Sequence, residues 1–286
     1  MSRLASGDRS RVGKQLMLWP LPILLALFYL LPFFGVVGWS VMLPAPGLGN
    51  YQQVLTDGEL HRVLWRTLRI CLIVALVALT LAYLLAYVYV FSAPRWQRLV
   101  ELGVFLPFWL SVLVRTFGWL IALRSNGPLN QWLQALGLIS APLQLTRNEV
   151  GVAIGMVNFM VPFAFFPLLT TMRRVDPRVL LAARGLGASR LRSFFWIFLP
   201  QTVSGLLGAF IMVFVFCVGF FVIPVLLGGG QTVMVAEYIF LQMFQTSNWG
   251  LGAALSVVLL AGVALLCGVL VKVTRVDRAL GPGEGL

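Results

Sequence analysis

The chain has 286 residues, 60 % of them hydrophobic and only 10 % charged, against roughly 45–50 % and about 25 % in soluble domains. That balance excludes an ordinary water-soluble fold. Twenty-one lysines and arginines against nine acidic residues give a formal charge of +12, but the arginines are scattered between apolar stretches and form no face for nucleic acid; they record topology and contact with anionic headgroups.

Six stretches reach the about 20 residues that a helix needs to cross the hydrocarbon core. They run Leu16–Trp39, Ile70–Phe91, Leu99–Leu123, Val150–Thr171, Val203–Leu227 and Leu251–Val271. The strict alternation of barrel strands is absent from them. The expected fold class is therefore an all-α polytopic membrane protein with six transmembrane helices.

In chain order, a tail over 1–15 carries Arg3, Arg9, Arg11 and Lys14. The first span follows as a retained helix, because its apolar run is too long for a signal peptide and no small-x-small cleavage site follows. The next connection, Pro46–Leu60, holds Tyr51, Asp57 and Glu59, and His61 opens the second span. With one histidine in the chain, no histidine metal site is possible. The third span contains Pro107, Arg115 and Gly118. Beyond it, a Ser125–Pro128 turn leads into Asn130–Ile139, where Trp132, Leu133, Leu136 and Ile139 recur at helical spacing. This reads as an interfacial helix that either braces the bundle or receives an extracytoplasmic partner. After the fifth span, the Val233–Phe244 stretch lies between glycine-rich turns, carries Glu237 as its one charge, and either re-enters the membrane or lies on its outer surface. Cys71, Cys217 and Cys267 fall inside apolar helices with no metal spacing, which suits packing.

With the N-terminus inside, the inner segments hold four, two, six and three basic residues, fifteen in all, and the outer segments five, with Arg115 left over. The bias places both termini, including the 272–286 tail, in the cytoplasm. Six of the inner arginines lie in one interval, Met172–Pro200. There Asp176-Pro177 is a helix start, an aspartate cap followed by a proline whose missing donor is harmless in the first turn. Val179 to Leu186 form a short helix, Gly187 takes the positive φ that ends it, and Ser189 caps a second helix running to Pro200. Two short helices joined at a glycine make an elbow. Ala182, Ala183 and Ala188 leave little bulk against a partner's groove, with Arg184, Arg190 and Arg192 at the rim. On spacing alone the elbow either docks on a partner or lies in the anionic inner leaflet.

This interval resembles the EAA motif of permease subunits of bacterial ABC importers, matching at Ala182, Ala183, Gly187, Ile197, Leu199 and Pro200; Leu181 stands where the family has glutamate. The likeness is nearest to the first permease subunit of spermidine/putrescine systems, through Leu106-Pro107-Phe108-Trp109, Arg115-Thr116-Phe117-Gly118-Trp119, Asn126–Asn130, Leu227-Gly228-Gly229 and Asn248–Ser256. It implies the type I ABC importer permease fold, with residues 16–271 as the transmembrane domain and 172–200 as its coupling loop. It also implies that Asp176, Leu181, Ala182, Ala183, Arg184, Gly187, Ala188 and Arg190 meet a cytoplasmic ATPase. The implied partners are a homologous second permease, two ATPases, a periplasmic solute-binding protein and the lipid bilayer, in the inner membrane. The chain has no GxxxxGK[ST] phosphate loop, so ATP and magnesium are expected on the ATPase, with no cofactor here and no catalysis.

For a small cationic solute, Glu237 and Tyr238 with Trp109 and Trp119 would offer a carboxylate and aromatic faces; the same aromatics equally serve packing. Arg115 is costly inside a span and is expected to contact solute, to gate, or to lock helices, with Glu237 as a candidate partner. A polyamine is the expected solute; an opine, phosphonate or amino-acid derivative is the alternative. A secondary transporter would show repeated halves, and these are not evident. A purely structural membrane protein would not need the elbow.

Overall fold

The computed structural model describes residues 20–280, so the tail expected at 1–15, the start of the Leu16–Trp39 span and the last six residues of the 272–286 tail lie outside the described residues. Each described regular element is helical: α1 Pro20–Met42, α2 Gly49–Thr56, α3 Gly58–Phe91, α4 Pro94–Trp109, α5 Val112–Ala122, α6 Pro128–Ala135, α7 Glu149–Met172, α8 Pro177–Gly185, α9 Arg190–Ser193, α10 Leu199–Val218, α11 Val222–Gly228, α12 Val235–Phe240 and α13 Trp249–Leu280. π-helical turns occupy Phe194–Phe198 and Leu241–Gln245.

Among the described residues five crossings are continuous: α1, α3, α7, the Arg190–Val218 run and Trp249–Leu270 within α13. The sixth differs from the single helix expected over Leu99–Leu123. It is a pair, α4 and α5, bent by 105°. Pro107 removes a backbone donor in the last turn of α4, and Leu110 and Ser111 turn extended, with ψ of 140° and 139°. The second span is also longer than expected. At 34 residues α3 measures about 51 Å at 1.5 Å per residue, well beyond an about 30 Å core, so its first turns carry Glu59, His61 and Arg62 clear of the lipid.

The fifth span shifts as well. Its helix begins at Arg190, breaks after Val218, and resumes as α11. The second arm of the elbow was expected to stop at Pro200 but runs through it. The π turn before it pairs the Leu199 N–H with the Phe194 carbonyl, and this wider turn accommodates a residue that can neither donate nor tolerate a close carbonyl behind it.

Contacts divide the chain into two units, one formed by residues up to Asp57 with Ile239–Ala261, the other by Gly58–Tyr238 with the chain from Gly262 onward. In the first, the Asn50 amide donates to the carbonyls of Ser40 (2.9 Å) and Leu43 (2.6 Å), and the Ser40 and Tyr51 hydroxyls share a hydrogen bond of 2.7 Å. Trp39 meets Trp249 edge-on at 5.6 Å. Any side chain at Gly250 would collide with the Leu43 carbonyl, so glycine alone lets the start of α13 come this close.

The second unit is built on α3, α7 and α10, which pack on one another. Along α3, Cys71, Ala75, Ala78, Ala82 and Ala86 are all fully buried. They recur every three or four residues, and such a ridge of small side chains lets helix backbones approach in a solvent that offers no hydrophobic drive of its own. Met156, Met160, Phe165 and Leu168 of α7 and Ala209, Val213 and Cys217 of α10 fill the space against it. Polar pairs fix the register: the Tyr83 and Thr202 hydroxyls lie 2.9 Å apart, and the Thr67 hydroxyl accepts from the Val235 amide at 2.9 Å. Cys71 of α3 and Cys217 of α10 are both fully buried free thiols.

Candidate coupling elbow and translocation surface

The elbow begins where α7 ends. Met172 and Val175 are buried and anchor the turn, and the Asp176 carboxylate accepts from the Arg178 amide at 2.8 Å, the cap the sequence implied. Pro177 occupies the first turn of α8. At its far end the Ala188 amide donates to the Ala183 carbonyl and the Gly187 amide to that of Arg184, both at 3.0 Å. This nested pair is a Schellman closure, and it depends on Gly187 at φ +89°. The Ser189 hydroxyl then accepts from the Arg192 amide at 3.2 Å and starts α9.

Burial divides the elbow into an anchored side and a free crest. Leu180 and Phe198 are buried, and Phe194 and Phe198 each meet Tyr87 of α3 edge-on at 5.4 Å. Phe91 closes on Phe198, also at 5.4 Å. On the outer side Leu181, Leu186 and Leu191 stand exposed, Leu186 at 91 %. Ala182, Arg184, Gly187 and Arg190 are exposed around them, and Ala183 and Ala188 are half-buried. Three leucines held out by a rigid turn, ringed by arginines, form an apolar knob with a cationic rim. Leu181 belongs to that knob, so where the EAA pattern has a charge this chain presents an aliphatic side chain.

The residues expected along the solute path do not form one cluster. Trp109, 82 % exposed, stands at the α4–α5 break. Arg115 serves the same break: its guanidinium donates to the Pro107 carbonyl and, at 3.1 Å, to that of Leu110, and lies 5.0 Å from the centre of the Phe159 ring. It caps the carbonyl end of α4. Trp119 instead lines a cavity of about 800 Å³ between α3, α4, α5 and α7, whose walls are almost wholly aliphatic apart from Trp119, Glu149 and Asn158. Glu237 sits in α12, 6 % exposed, beside half-buried Tyr238. One carboxylate oxygen of Glu237 has no hydrogen-bond partner. In this connection between the last two spans, burial pushes the carboxyl above its ordinary range, and the Met234 amide that donates to it offsets part of that rise. The expected Arg115–Glu237 pairing is not formed: Arg115 Nη2 donates to the backbone of the break, and its buried Nε has no hydrogen-bond partner.

Two groups escaped the sequence reading. Glu149, at the start of α7, is gripped by Arg69 and, at 3.5 Å, by Arg66, which ties α3 to α7. The spacing of Arg66 and Arg69 on one helix face was a usable signal, but their partner lies about eighty residues away in sequence. Asn130, fully buried, donates to the carbonyls of Arg124 (3.1 Å) and Leu143 (2.9 Å) and accepts from the Leu143 amide. It pins the Pro142–Gln144 loop beneath α6, which had shown no pattern of its own. The exposed Trp132, Leu136 and Leu138 leave the apolar side of α6 outward.

No family model matches the chain. It is 33 % identical over 205 residues to the spermidine/putrescine transport system permease protein PotB of Haemophilus influenzae, covering 72 % of each chain. With the protein of the same name from Escherichia coli it shares 31 % over 250 residues, 85 % of this chain and 90 % of that one. Among solved structures, a bacterial ABC transporter involved in import of the acidic polysaccharide alginate superimposes with a TM-score of 0.73 over 98 % of this chain and all of that one, at 16 % identity. At that identity the last likeness concerns the fold alone.

Proposed function

We propose that this chain, which belongs to the PotB family of ABC-importer permease subunits, forms part of the membrane path for a small polyamine such as spermidine or putrescine. The role of non-catalytic, multi-pass permease subunit comes with the family; the solute is our reading. The observation that carries it is the kinship with spermidine/putrescine permeases over 72 % and 85 % of the chain. The fold does not choose the solute, because it also serves a polyanion importer. The buried, half-satisfied carboxylate of Glu237 supports the cationic reading: an ammonium group would supply the partner that its free oxygen lacks.

In this reading the Asp176–Pro200 elbow faces the cytoplasm with both tails, and its leucine knob seats in a cleft of an ATPase subunit. The complete machine holds a second permease, two ATPases carrying ATP and magnesium, and a periplasmic solute-binding protein. ATP binding on the ATPases would displace the elbow and shift the permease between inward- and outward-facing states. The test is ATP-dependent uptake of labelled spermidine and putrescine by proteoliposomes holding the whole complex. Saturable uptake of either, reduced by Glu237→Gln, is expected. ATP turnover stimulated by a different small solute, with neither polyamine taken up nor competing, would refute the solute assignment and leave the family membership intact.

A further inference from the structure

Where α3, α4 and α7 converge beside the elbow, one hydroxyl joins all three. The Tyr89 hydroxyl, near the end of α3, donates to a Glu101 carboxylate oxygen of α4 at 2.5 Å and accepts from the Arg173 guanidinium, just past α7, at 2.9 Å. The same guanidinium lies 5.1 Å from the centre of the Tyr89 ring. Phe165 packs edge-on against that ring at 6.2 Å, and the tyrosine is buried. The Gln97 amide of α4 donates to the carbonyls of Tyr89 and Ser92, at 3.0 and 3.1 Å, and so clamps the short link between α3 and α4.

We propose that Tyr89 is a positioning residue that transmits displacement of the elbow to α4, the inner arm of the broken span. The inference rests on the elbow being the ATPase dock. Arg173 stands three residues before Asp176, so a pull on the elbow acts on the guanidinium first. A hydroxyl has one proton to donate, and here it goes to Glu101 while the lone pair takes the arginine. Both bonds are charge-assisted, and each polarises the other. Withdrawal of Arg173 weakens the hold on Glu101, and the carboxylate then lacks the cation that balanced it through the phenol. The 105° break makes α4 an arm distinct from α5, joined to it at the break by Arg115, so displacement at its inner end can turn it about that joint. Gln97 keeps its base on α3 and supplies the pivot.

The experiment uses the assembled complex in nanodiscs, with the three native cysteines replaced and single cysteines placed at exposed positions: Leu191→Cys on the elbow and Leu102→Cys on α4. Maleimide labelling rates are compared without nucleotide and with ATP trapped, so no knowledge of the solute is needed. In the parent, Leu191→Cys should be shielded by the ATPase, and the Leu102→Cys rate should change by about fivefold or more between states, within the range of ordinary coupling between sites. Tyr89→Phe keeps the ring on Arg173 and Phe165 but removes the relay, so the Leu102→Cys response should vanish while Leu191→Cys stays shielded. Glu101→Gln should do the same. A parental Leu102→Cys response in both variants would overturn the inference, as would loss of assembly by both, which would reduce the network to a contact that holds the fold. If only Tyr89→Phe assembles poorly, Glu101→Gln decides, because its amide oxygen still accepts from the hydroxyl. An unshielded Leu191→Cys in the parent would refute the elbow reading itself, and this inference with it.

Discussion

Adding one methyl group at two glycines of the elbow, two positions apart, should have opposite effects. Gly185 lies within α8 and Gly187 at φ +89°, and a Cβ at either would meet nothing within 4 Å. Sterics with neighbours therefore drop out and only backbone preference remains. At Gly187 an alanine pays the left-handed penalty of about 1–2 kcal/mol, which shifts occupancy of the closed turn by about five- to thirtyfold. At Gly185, the last residue of α8, an alanine gains helix propensity, up to the about 0.8–1 kcal/mol of an interior position. Gly187→Ala should thus speed exchange of the Gly187 and Ala188 amides, whose bonds close the turn, and weaken retention of the ATPase on the purified permease. Gly185→Ala should slow that exchange and retain the ATPase at least as well as the parent. Hydrogen exchange by mass spectrometry and copurification measure the two arms. Equal damage from both substitutions would mean that bulk at the proposed docking surface matters and turn geometry does not. Unchanged exchange in Gly187→Ala would refute the argument at its first step.

Leu181→Glu restores the glutamate of the EAA pattern at an exposed site, so it should leave the melting temperature of the permease within the usual scatter of surface substitutions, about ±0.5 kcal/mol, and change only ATPase affinity, read by titration. Arg115→Met strips the bonds to the Pro107 and Leu110 carbonyls and should destabilise by about 1–3 kcal/mol; combined with Glu237→Gln it should be additive within about 0.5 kcal/mol, since the two residues share no partner. Glu237 has a raised native pKa through burial, so its contribution to stability is full below the unfolded carboxyl value of about 4.3 and is lost as pH rises through the native value. The melting temperature of the parent should accordingly fall relative to Glu237→Gln as pH rises above that unfolded value; a constant gap would contradict burial as the cause.

What was legible in the chain was local. The Asp176 cap, Gly187 as the left-handed closure and Ser189 as the second cap each depend on a residue and its neighbours within a few positions, and each stands where the spacing put it. Hydropathy found the crossings because lipid demands about 20 apolar residues whatever surrounds them. It missed the break at Leu110–Ser111, since extended backbone there is as apolar as helix, and only Pro107 hinted at it. It also missed the run through Pro200, because the compensating π turn is set by packing of Phe194 and Phe198 on Tyr87, which belongs to another span. The partners of Glu149 and the Arg173 partner of Tyr89 lie about eighty residues away in sequence, and those of Asn130 carry no periodic signature.

The broken crossing bears on where a cation could rest along the path. In carriers that bind substrate at a discontinuous helix, the free carbonyls of the half-helix end are what coordinate a cation. In this chain the corresponding end of α4 is already occupied, because Arg115 is bonded to the Pro107 and Leu110 carbonyls and backed by Phe159. A tethered guanidinium at that point removes the site an ammonium would use and adds a like charge beside it. On the proposed reading a polyamine is therefore not held at the break, and attraction falls to Glu237 of α12, the one buried carboxylate among the described residues. A path with a single weak hold suits a permease whose free energy comes from an attached ATPase: a deep site would slow release, whereas selection by an external binding protein leaves the path free to let go. Arg115→Lys separates the two effects. It keeps the charge but replaces the guanidinium, whose Nη2 donates to both carbonyls beside Phe159, with a flexible ammonium, so it should loosen the break while still repelling a polyamine. Arg115→Met removes both, and should lengthen the residence of spermidine on the complex if the vacated carbonyls accept an ammonium. Equal spermidine off-rates for the two variants would show that the arginine acts on the backbone alone.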